Sequence, residues 1–194
     1  CMISGPSFAI EIAKGAKTGF NIACKNIEVA NIVKEQFENG LVVSTCDDII
    51  GVQVAASIKN VFAIFMGMLT GMDMTDSYKA SCLACLVRDL GEVIVALGGK
   101  RDTIFTYAGL GDMLLTCMSS KSRNFTFGTY IGRGYSMQNA FETMSVKTVE
   151  GIYTLSTITD LMKSKNFKVK SLEVLYGILY NNDSKDNLLD KIRM

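Results

Sequence analysis

Apolar residues recur with a helical period over most of this chain and with a strand-like one only near its start. The opening Cys1-Met2-Ile3 reads as the tail of an apolar strand. It runs into Ser4-Gly5-Pro6-Ser7, where Gly permits unusual dihedrals and Pro fixes φ. Phe8 and Ile12, with Ala9 and Ala13, share one side of a predicted helix over 8–14, which Gly15 ends. The pattern predicts a strand over 18–24, a helix over 29–37 and a short strand over 41–44, with Asn39-Gly40 as the turn before it. Beyond Asp47 no alternating strand recurs. Asp47 or Asp48 caps a long helix running to Met68, and Thr75 or Asp76 caps another running to Leu97, closed by Gly98-Gly99. Shorter helices are predicted over 109–117, 122–131, 136–143, 149–163, 171–180 and 185–192. No proline follows Pro6, so nothing interrupts these periods. The resulting expectation is a mainly α protein, with a small α/β segment over 1–46 and a multi-helix domain over 47–194.

Composition narrows what such a fold could do. The chain has 194 residues, 48% of them hydrophobic, with 20 Lys+Arg against 19 Asp+Glu. That is a globular composition able to bury a core. Charge balance argues against a general polyanion binder, so nucleic acid is not an expected partner. There is no histidine, which removes Ser-His-Asp, Cys-His and His-ligated metal chemistry together. Proton transfer would fall to Lys, Asp, Glu, Tyr or Cys.

Six cysteines are scattered, and only Cys82-x-x-Cys85 is a close pair. It reads either as a redox dithiol or half a zinc site, or as two small apolar residues on one helix face. A tetrahedral site needs four ligands and no second pair exists, so no metal is expected. Reduced buried thiols fit a cytosolic protein. No signal peptide is recognisable. The longest apolar run, 52–69, is broken by Lys59 and Asn60, so no membrane span is expected. A first residue other than Met suggests a chain that continues upstream.

Three short stretches could carry chemistry. Lys59 lies within VQVAASIKNVFAIFMGM, where burial disfavours its charge and draws its pKa towards a range useful to a general base. A lysine snorkelling to the surface is the plainer alternative, although Asn60 beside it adds a second polar interruption. Ala108-Gly109-Leu110-Gly111-Asp112 leads into a helix, which suits close backbone approach to a ligand with Asp112 orienting a hydroxyl. It also suits an ordinary loop with an acid complementing the helix dipole. Ser122-Arg123-Asn124 at a helix start combines free N–H groups, a hydroxyl, a guanidinium and an amide, which together make an anion site. The alternative is a plain N-cap with a solvated Arg. Apart from these three, Val149-Glu150-Gly151 places an acid near another helix start, which by itself says little.

Taken in order, these stretches resemble one family. Ser4-Gly5-Pro6-Ser7-Phe8-Ala9 with Glu11, Asp47-Asp48 with Gly51-Val52, Ile58-Lys59-Asn60-Val61, Ala108 to Asp112 with Leu115-Thr116-Cys117, Ser122-Arg123-Asn124 and Val149-Glu150-Gly151 are similar to the bacterial NAD(P)-dependent glycerol-3-phosphate dehydrogenases. The likeness runs from the end of the nucleotide-binding domain through the helical domain. It implies that 1–46 is the remnant of a Rossmann-type domain whose glycine fingerprint lies outside this chain. It implies NAD or NADP as cofactor and a phosphorylated three-carbon substrate. Lys59 would be the acid/base at the C2 oxygen, with Asn60 and Asp112 positioning lysine and substrate. Gly5, Ser7, Ser122, Arg123 and Asn124 would bind substrate, with Ser122 to Asn124 at its phosphate. Ala9, Arg123, Thr148 and Glu150 would face the cofactor. The implied setting is cytoplasmic, reducing dihydroxyacetone phosphate towards phospholipid precursors, with a homodimer among the assemblies allowed. This chain alone is expected to be inactive or nearly so, because hydride transfer needs the missing cofactor fold.

The chain departs from the family pattern in places. Ala55-Ala56 replaces Gly-Gly, and Ser77, Tyr78 and Asp89 replace small or neutral residues. Phe125 replaces a basic residue, Lys170 replaces a proline, and a second substrate-binding lysine belongs upstream. These departures keep two other readings in view: a helical association module that no longer catalyses, and a dehydrogenase of the same architecture acting on another hydroxy acid.

Overall fold

Three short strands open the chain in an order set by their hydrogen bonds. The computed structural model describes residues 1–37 and 41–193. β1 (Met2–Ser4) pairs antiparallel with β2 (Thr18–Ala23), and β2 pairs parallel with β3 (Leu41–Cys46), giving the order β1-β2-β3. α1 (Ala9–Ala13) lies between the first two strands. α2 (Ile27–Lys34) supplies the crossover that two parallel strands require. It begins two residues earlier than the apolar period suggests because the Asn26 side chain accepts the Glu28 N–H at 2.9 Å and fixes the start. The predicted Asn39-Gly40 turn lies outside the described residues. The sheet is mixed rather than wholly parallel, since β1 runs against its neighbour.

The remaining described elements are helical. α3 (Ile49–Gly71) and α4 (Asp76–Ala96) are the long helices expected. Asp48, not Asp47, caps α3. Its buried carboxylate accepts the N–H groups of Gly51 at 2.9 Å and Lys100 at 2.8 Å, and the Thr103 hydroxyl at 2.5 Å. Asp47 instead pairs at the surface with the Lys100 ammonium, which holds its carboxyl below the ordinary value. Thr75 caps α4 through the Tyr78 N–H, and Gly98, at φ +95°, closes the turn after it. The predicted helix over 109–117 is in fact two elements. A π-helical turn, Tyr107–Gly111, precedes α5 (Asp112–Met118), and a 3-10 turn, Arg101–Phe105, precedes both. Gly109 packs tightly against the preceding turn, since a side chain there would overlap the carbonyl oxygens of Thr103 and Ile104.

α6 (Arg123–Gly132), α7 (Met137–Met144), α8 (Glu150–Ser164), α9 (Lys170–Tyr180) and α10 (Leu188–Ile192) follow. α10 starts three residues later than predicted, because Asn187 is left-handed at φ 52° and no helix continues through it. The chain separates into two compact units. One comprises residues 1–56 and 91–115, the other 57–90 and 116–194.

In the first unit Ala23, Val52 and Ala108 form a buried cluster with Met2, Cys46 and Ile49 packed against it. In the second, α3 and α6 approach backbone to backbone. A side chain on Gly67 or Gly71 would overlap the carbonyl oxygens of Phe125 and Thr129. One on Gly128 or Gly132 would overlap those of Ile64 and Met68. Two Gly-x-x-x-Gly rows therefore face each other, which lets the helices pack far more closely than larger residues would allow. Among the described helices, α3 alone is long and apolar enough to cross a membrane by length and composition. Lys59 and Asn60 do not stop it as a helix. Most of its apolar stretch is buried inside the protein, as in the core helix of a water-soluble fold.

Two departures from the family pattern have structural roles. Val169 precedes α9 but offers it no side-chain cap. The fully buried Asp89 carboxylate supplies one, accepting the Ser171 N–H at 3.2 Å, and the Arg88 guanidinium neutralises it at 2.5 Å. Arg88 also donates to the Ile192 carbonyl, and the Tyr78 hydroxyl accepts the Leu189 N–H at 2.8 Å. The middle of α4 thus anchors both C-terminal helices.

Cys82 and Cys85 are buried on α4, as the structural reading of that pair expects. Burial, with Cys85 adding to it, pushes the Cys82 thiol up to about 12. Because the folded thiol titrates above its unfolded value, its contribution to stability is whole below about pH 8.5. It falls as the pH climbs towards 12. Iodoacetamide at a pH near ~8.5 should alkylate exposed Cys1 while sparing Cys82 until denaturant is added. Equal native labelling of the two would contradict the packing of α4. Gly128→Ala should lower the urea midpoint, by a cost of at least about 1–3 kcal/mol from overpacking. An unchanged midpoint would mean that α3 and α6 do not meet as described.

Candidate active site

Gly5, Ser7, Ala9 and Asp112 belong to the first unit; Lys59, Asn60, Ser122, Arg123, Asn124, Thr148 and Glu150 belong to the second.

In the second unit three elements converge on one side chain. Asn124, in the first turn of α6, is 4% exposed. Its amide nitrogen donates to the Asn60 side-chain oxygen on α3 at 3.0 Å. Its oxygen accepts the Gly151 N–H at the start of α8 at 2.8 Å. The glycines of α3 and α6 make this bridge possible by removing the side chains that would hold the two backbones apart. Gly151 acts alike, since a side chain there would overlap the Asn60 carbonyl. Lys59, one residue before Asn60, is half-buried rather than sealed in the core, and its carbonyl accepts the Cys117 thiol at 3.9 Å.

Arg123 and Glu150 are the first residues of α6 and α8, and their side chains form an ion pair. Arg123 sits at the positive end of its own helix, where a cation is disfavoured, and the Glu150 carboxylate offsets that. Both side chains are about half exposed, at 56% and 46%. Such a pair adds little stability; its effect is to hold a guanidinium and a carboxylate side by side in reach of solvent. Ser122 caps α6 by accepting the Phe125 N–H at 3.3 Å, which leaves its own proton to donate. Phe125 lines a separate cleft of about 560 Å3 with Met66, Cys117, Met118, Asp76 and Lys79. Thr148 is exposed just before α8.

In the first unit the buried Asp112 opens α5, and the Ser4 hydroxyl donates to its carboxylate at 3.2 Å. Ser4 ends β1, so the strand pairing sets where that hydroxyl lies. Gly5 follows at a point where β1 and β2 are so close that a side chain would overlap the Gly19 carbonyl. Ser7 donates to the Gly5 carbonyl at 3.3 Å, and Thr18 donates to that of Pro6. The loop that carries Gly5 and Ser7 is therefore held by one bond within it and one from the start of β2. The Asn21 side chain accepts the Ala108 N–H at 2.9 Å and so ties the glycine-rich segment to β2. A cleft of about 490 Å3 opens between Asn21 and Ser44 of the sheet and the Thr106 and Gly111 ends of that segment. Ala9 is exposed at the first turn of α1.

Two positioning groups escaped the sequence reading. Asn21 is the one polar side chain in the buried half of β2, Asn-Ile-Ala, and that interruption was the available signal. Ser4 was visible only as part of a turn. Its bond to Asp112 spans 108 positions, which no local pattern reports.

Comparison with known proteins bears on these residues as a set. The family model of the NAD-dependent glycerol-3-phosphate dehydrogenase C-terminus matches residues 48–190. The chain is 34% identical over 184 residues to the glycerol-3-phosphate dehydrogenase, NAD(P)+-linked, of Staphylococcus aureus, covering 94% of this chain and 55% of that protein. It is also 34% identical to the glycosomal, NAD+-linked glycerol-3-phosphate dehydrogenase of Trypanosoma brucei rhodesiense, over 93% of this chain and 52% of that one. A crystal structure of glycerol-3-phosphate dehydrogenase from Coxiella burnetii superposes with a TM-score of 0.89 at 27% identity, covering 97% of this chain and 58% of that one. The yeast enzyme from Saccharomyces cerevisiae shares the fold at a TM-score of 0.89 and 19% identity. The chain spans about half the length of the curated relatives it matches. With the helical architecture and the ordered motifs in agreement, the chain belongs to the family of NAD-dependent glycerol-3-phosphate dehydrogenase C-terminal domains.

Proposed function

We propose that this chain is the substrate-binding and catalytic portion of an NAD(P)-linked dehydrogenase that interconverts dihydroxyacetone phosphate and sn-glycerol 3-phosphate. The observation that carries the reading is the Asn124 bridge, which fixes Asn60, and with it the backbone of Lys59, against the paired Arg123 and Glu150. The family model's match begins at residue 48, which supports a helical domain over 47–194 and a nucleotide-binding remnant over 1–46.

Lys59 is the general acid/base. In the reducing direction its ammonium gives a proton to the C2 oxygen as that carbon is reduced; in the oxidising direction the amine takes it back. Asn60, held by Asn124, keeps the lysine's turn of α3 in place. Phosphate recognition rests on Arg123, on the Ser122 hydroxyl and on the first N–H groups of α6, which present positive potential to an anion. Asn124, with both ends of its amide engaged, acts as the positioning residue of this group. Asp112 accepts from a substrate hydroxyl, and Gly5 and Ser7 shape the substrate loop.

The donor chemistry also fits a dinucleotide: a half-exposed guanidinium suits a phosphate, and the Glu150 carboxylate beside it suits a ribose hydroxyl. Arg123, Glu150, Thr148 and Ala9 are the residues we assign to NAD or NADP. When bound, the nicotinamide supplies or accepts the hydride. Remote binding of the phosphate then holds the reacting carbon near the base, which converts binding energy into orientation. The setting proposed is cytoplasmic, supplying phospholipid precursors, and the chain without the rest of the cofactor domain is inactive or nearly so.

The tests use the longer protein containing this chain. Lys59→Ala should lower turnover by about 10²–10⁴-fold, the range of general acid–base contributions, with the fold unchanged by circular dichroism. Normal turnover would remove Lys59 from the mechanism. Arg123→Ala should raise KM with kcat little changed, as loss of uniform binding does; a purely kcat effect would reassign it. Asn124→Ala should lower kcat. It should also cost about 1–3 kcal/mol of stability, because the Gly151 N–H is left buried and unpaired. If both stay at wild-type values, the bridge has no role.

A further inference from the structure

β1 and β2 pair antiparallel with Met2 opposite Ala23, Ile3 opposite Ile22 and Ser4 opposite Asn21. One step along the same register sets Cys1 opposite Cys24. The backbone N–H of Cys24 donates to the Cys46 carbonyl at 3.0 Å, towards β3. In a strand the N–H and C=O of one residue point to the same side, so Cys24 turns neither group to β1. Cys1 and Cys24 are therefore a non-hydrogen-bonded pair, the closer kind in an antiparallel ladder, with Cα atoms about 4.5 Å apart. Disulfides form across Cα separations of about 4.4–6.8 Å. Alternation along the strands puts both side chains on one face and Met2, Ala23 and Cys46 on the other. Cys46, the third thiol at this end of the sheet, is thus turned away from the pair and packs on the cluster of Ala23, Val52 and Ala108. Cys1 and Cys24 are both free thiols. Cys82, Cys85 and Cys117 are buried.

We infer that Cys1 and Cys24 are a redox-responsive pair that closes into a cross-strand disulfide by exchange with a low-molecular-weight disulfide such as oxidised glutathione. The Cys1 thiolate attacks one glutathione sulfur, the glutathione S–S bond breaks and one glutathione thiolate leaves. The Cys24 thiolate then attacks the Cys1 sulfur of the mixed disulfide, and the second glutathione thiolate departs. The two protein thiols lose two protons and two electrons, and one glutathione disulfide becomes two glutathiones. The bond closes three residues before Ser4, whose hydroxyl holds Asp112. Oxidation therefore ties down the strand that carries this contact.

The test is to equilibrate the longer protein containing this chain under native conditions with buffers of varied reduced-to-oxidised glutathione ratio, block free thiols and map peptides without reduction. Cleavage at Lys14, Lys17 and Lys25 places Cys1 and Cys24 on separate peptides. The expected product is a Cys1–Cys24 linked pair that forms and reverses with the ratio, with the two thiols lost together. Cys1→Ser should leave Cys24, and Cys24→Ser should leave Cys1, as a glutathione adduct or free thiol with no cross-link. The oxidised wild type should also have a higher Tm than either variant in the same buffer. Adducts on both cysteines without a link, a link from Cys24 to Cys46, or an unchanged Tm would each overturn the proposal.

Discussion

Where α3 crosses α6, backbone carbonyls of each helix occupy the space that side chains of the other would need. Much else in the second unit depends on that constraint. It requires glycine at Gly67, Gly71, Gly128 and Gly132, and it brings Asn60 and Asn124 within hydrogen-bonding distance of one another. A wider crossing filled by leucine side chains would bury as much apolar area. It would also leave the Asn124 amide unable to reach α3 and the start of α8 together. Close packing is thus what turns a short polar side chain into a bridge between three elements.

The charged groups follow from the same geometry. Helix starts concentrate unpaired N–H groups and positive potential. α6 and α8 both begin beside the bridge, and they present a cation and an anion as their first residues. The arrangement holds opposite charges side by side in reach of solvent, without sinking either charge into the core, where desolvation would oppose it. In the first unit a comparable economy operates with neutral groups. Ser4 and Asn21 each use one side-chain bond to hold a loop or helix start that glycines have left without side chains of its own.

Local signals made much of this legible. The apolar period located α3 and α4 within a few residues, and Thr75 was among the caps it suggested. Lys59 and Asn60 stood out as polar interruptions of one apolar run. What stayed hidden depended on distant partners. The choice between Asp47 and Asp48 turns on Lys100 and Thr103, some fifty positions away. Asn124 reads as one member of an anion-binding run, whereas its two amide ends are engaged by residues 64 and 27 positions away. The late start of α10 depends on one left-handed asparagine, a conformation that asparagine adopts only occasionally and that apolar spacing does not register. The split of the 109–117 segment into a π-helical turn and α5 leaves the apolar spacing unchanged, so spacing alone does not register it.

The anchoring of α9 and α10 to α4 bears on the order in which the protein can be completed as it is made. A chain leaves the ribosome from its first residue onward. Every residue of the first unit has been synthesised once Leu115 is in place. The second unit differs, because Asp89, Arg88 and Tyr78 find their partners at Ser171, Ile192 and Leu189. Until those last residues emerge, a carboxylate destined for full burial has only Arg88 to neutralise it, and the middle of α4 has no helices to cover it. Residues 171–192 therefore complete that unit's packing, and a nascent chain stalled short of them would present an apolar, half-satisfied surface to the chaperones around it.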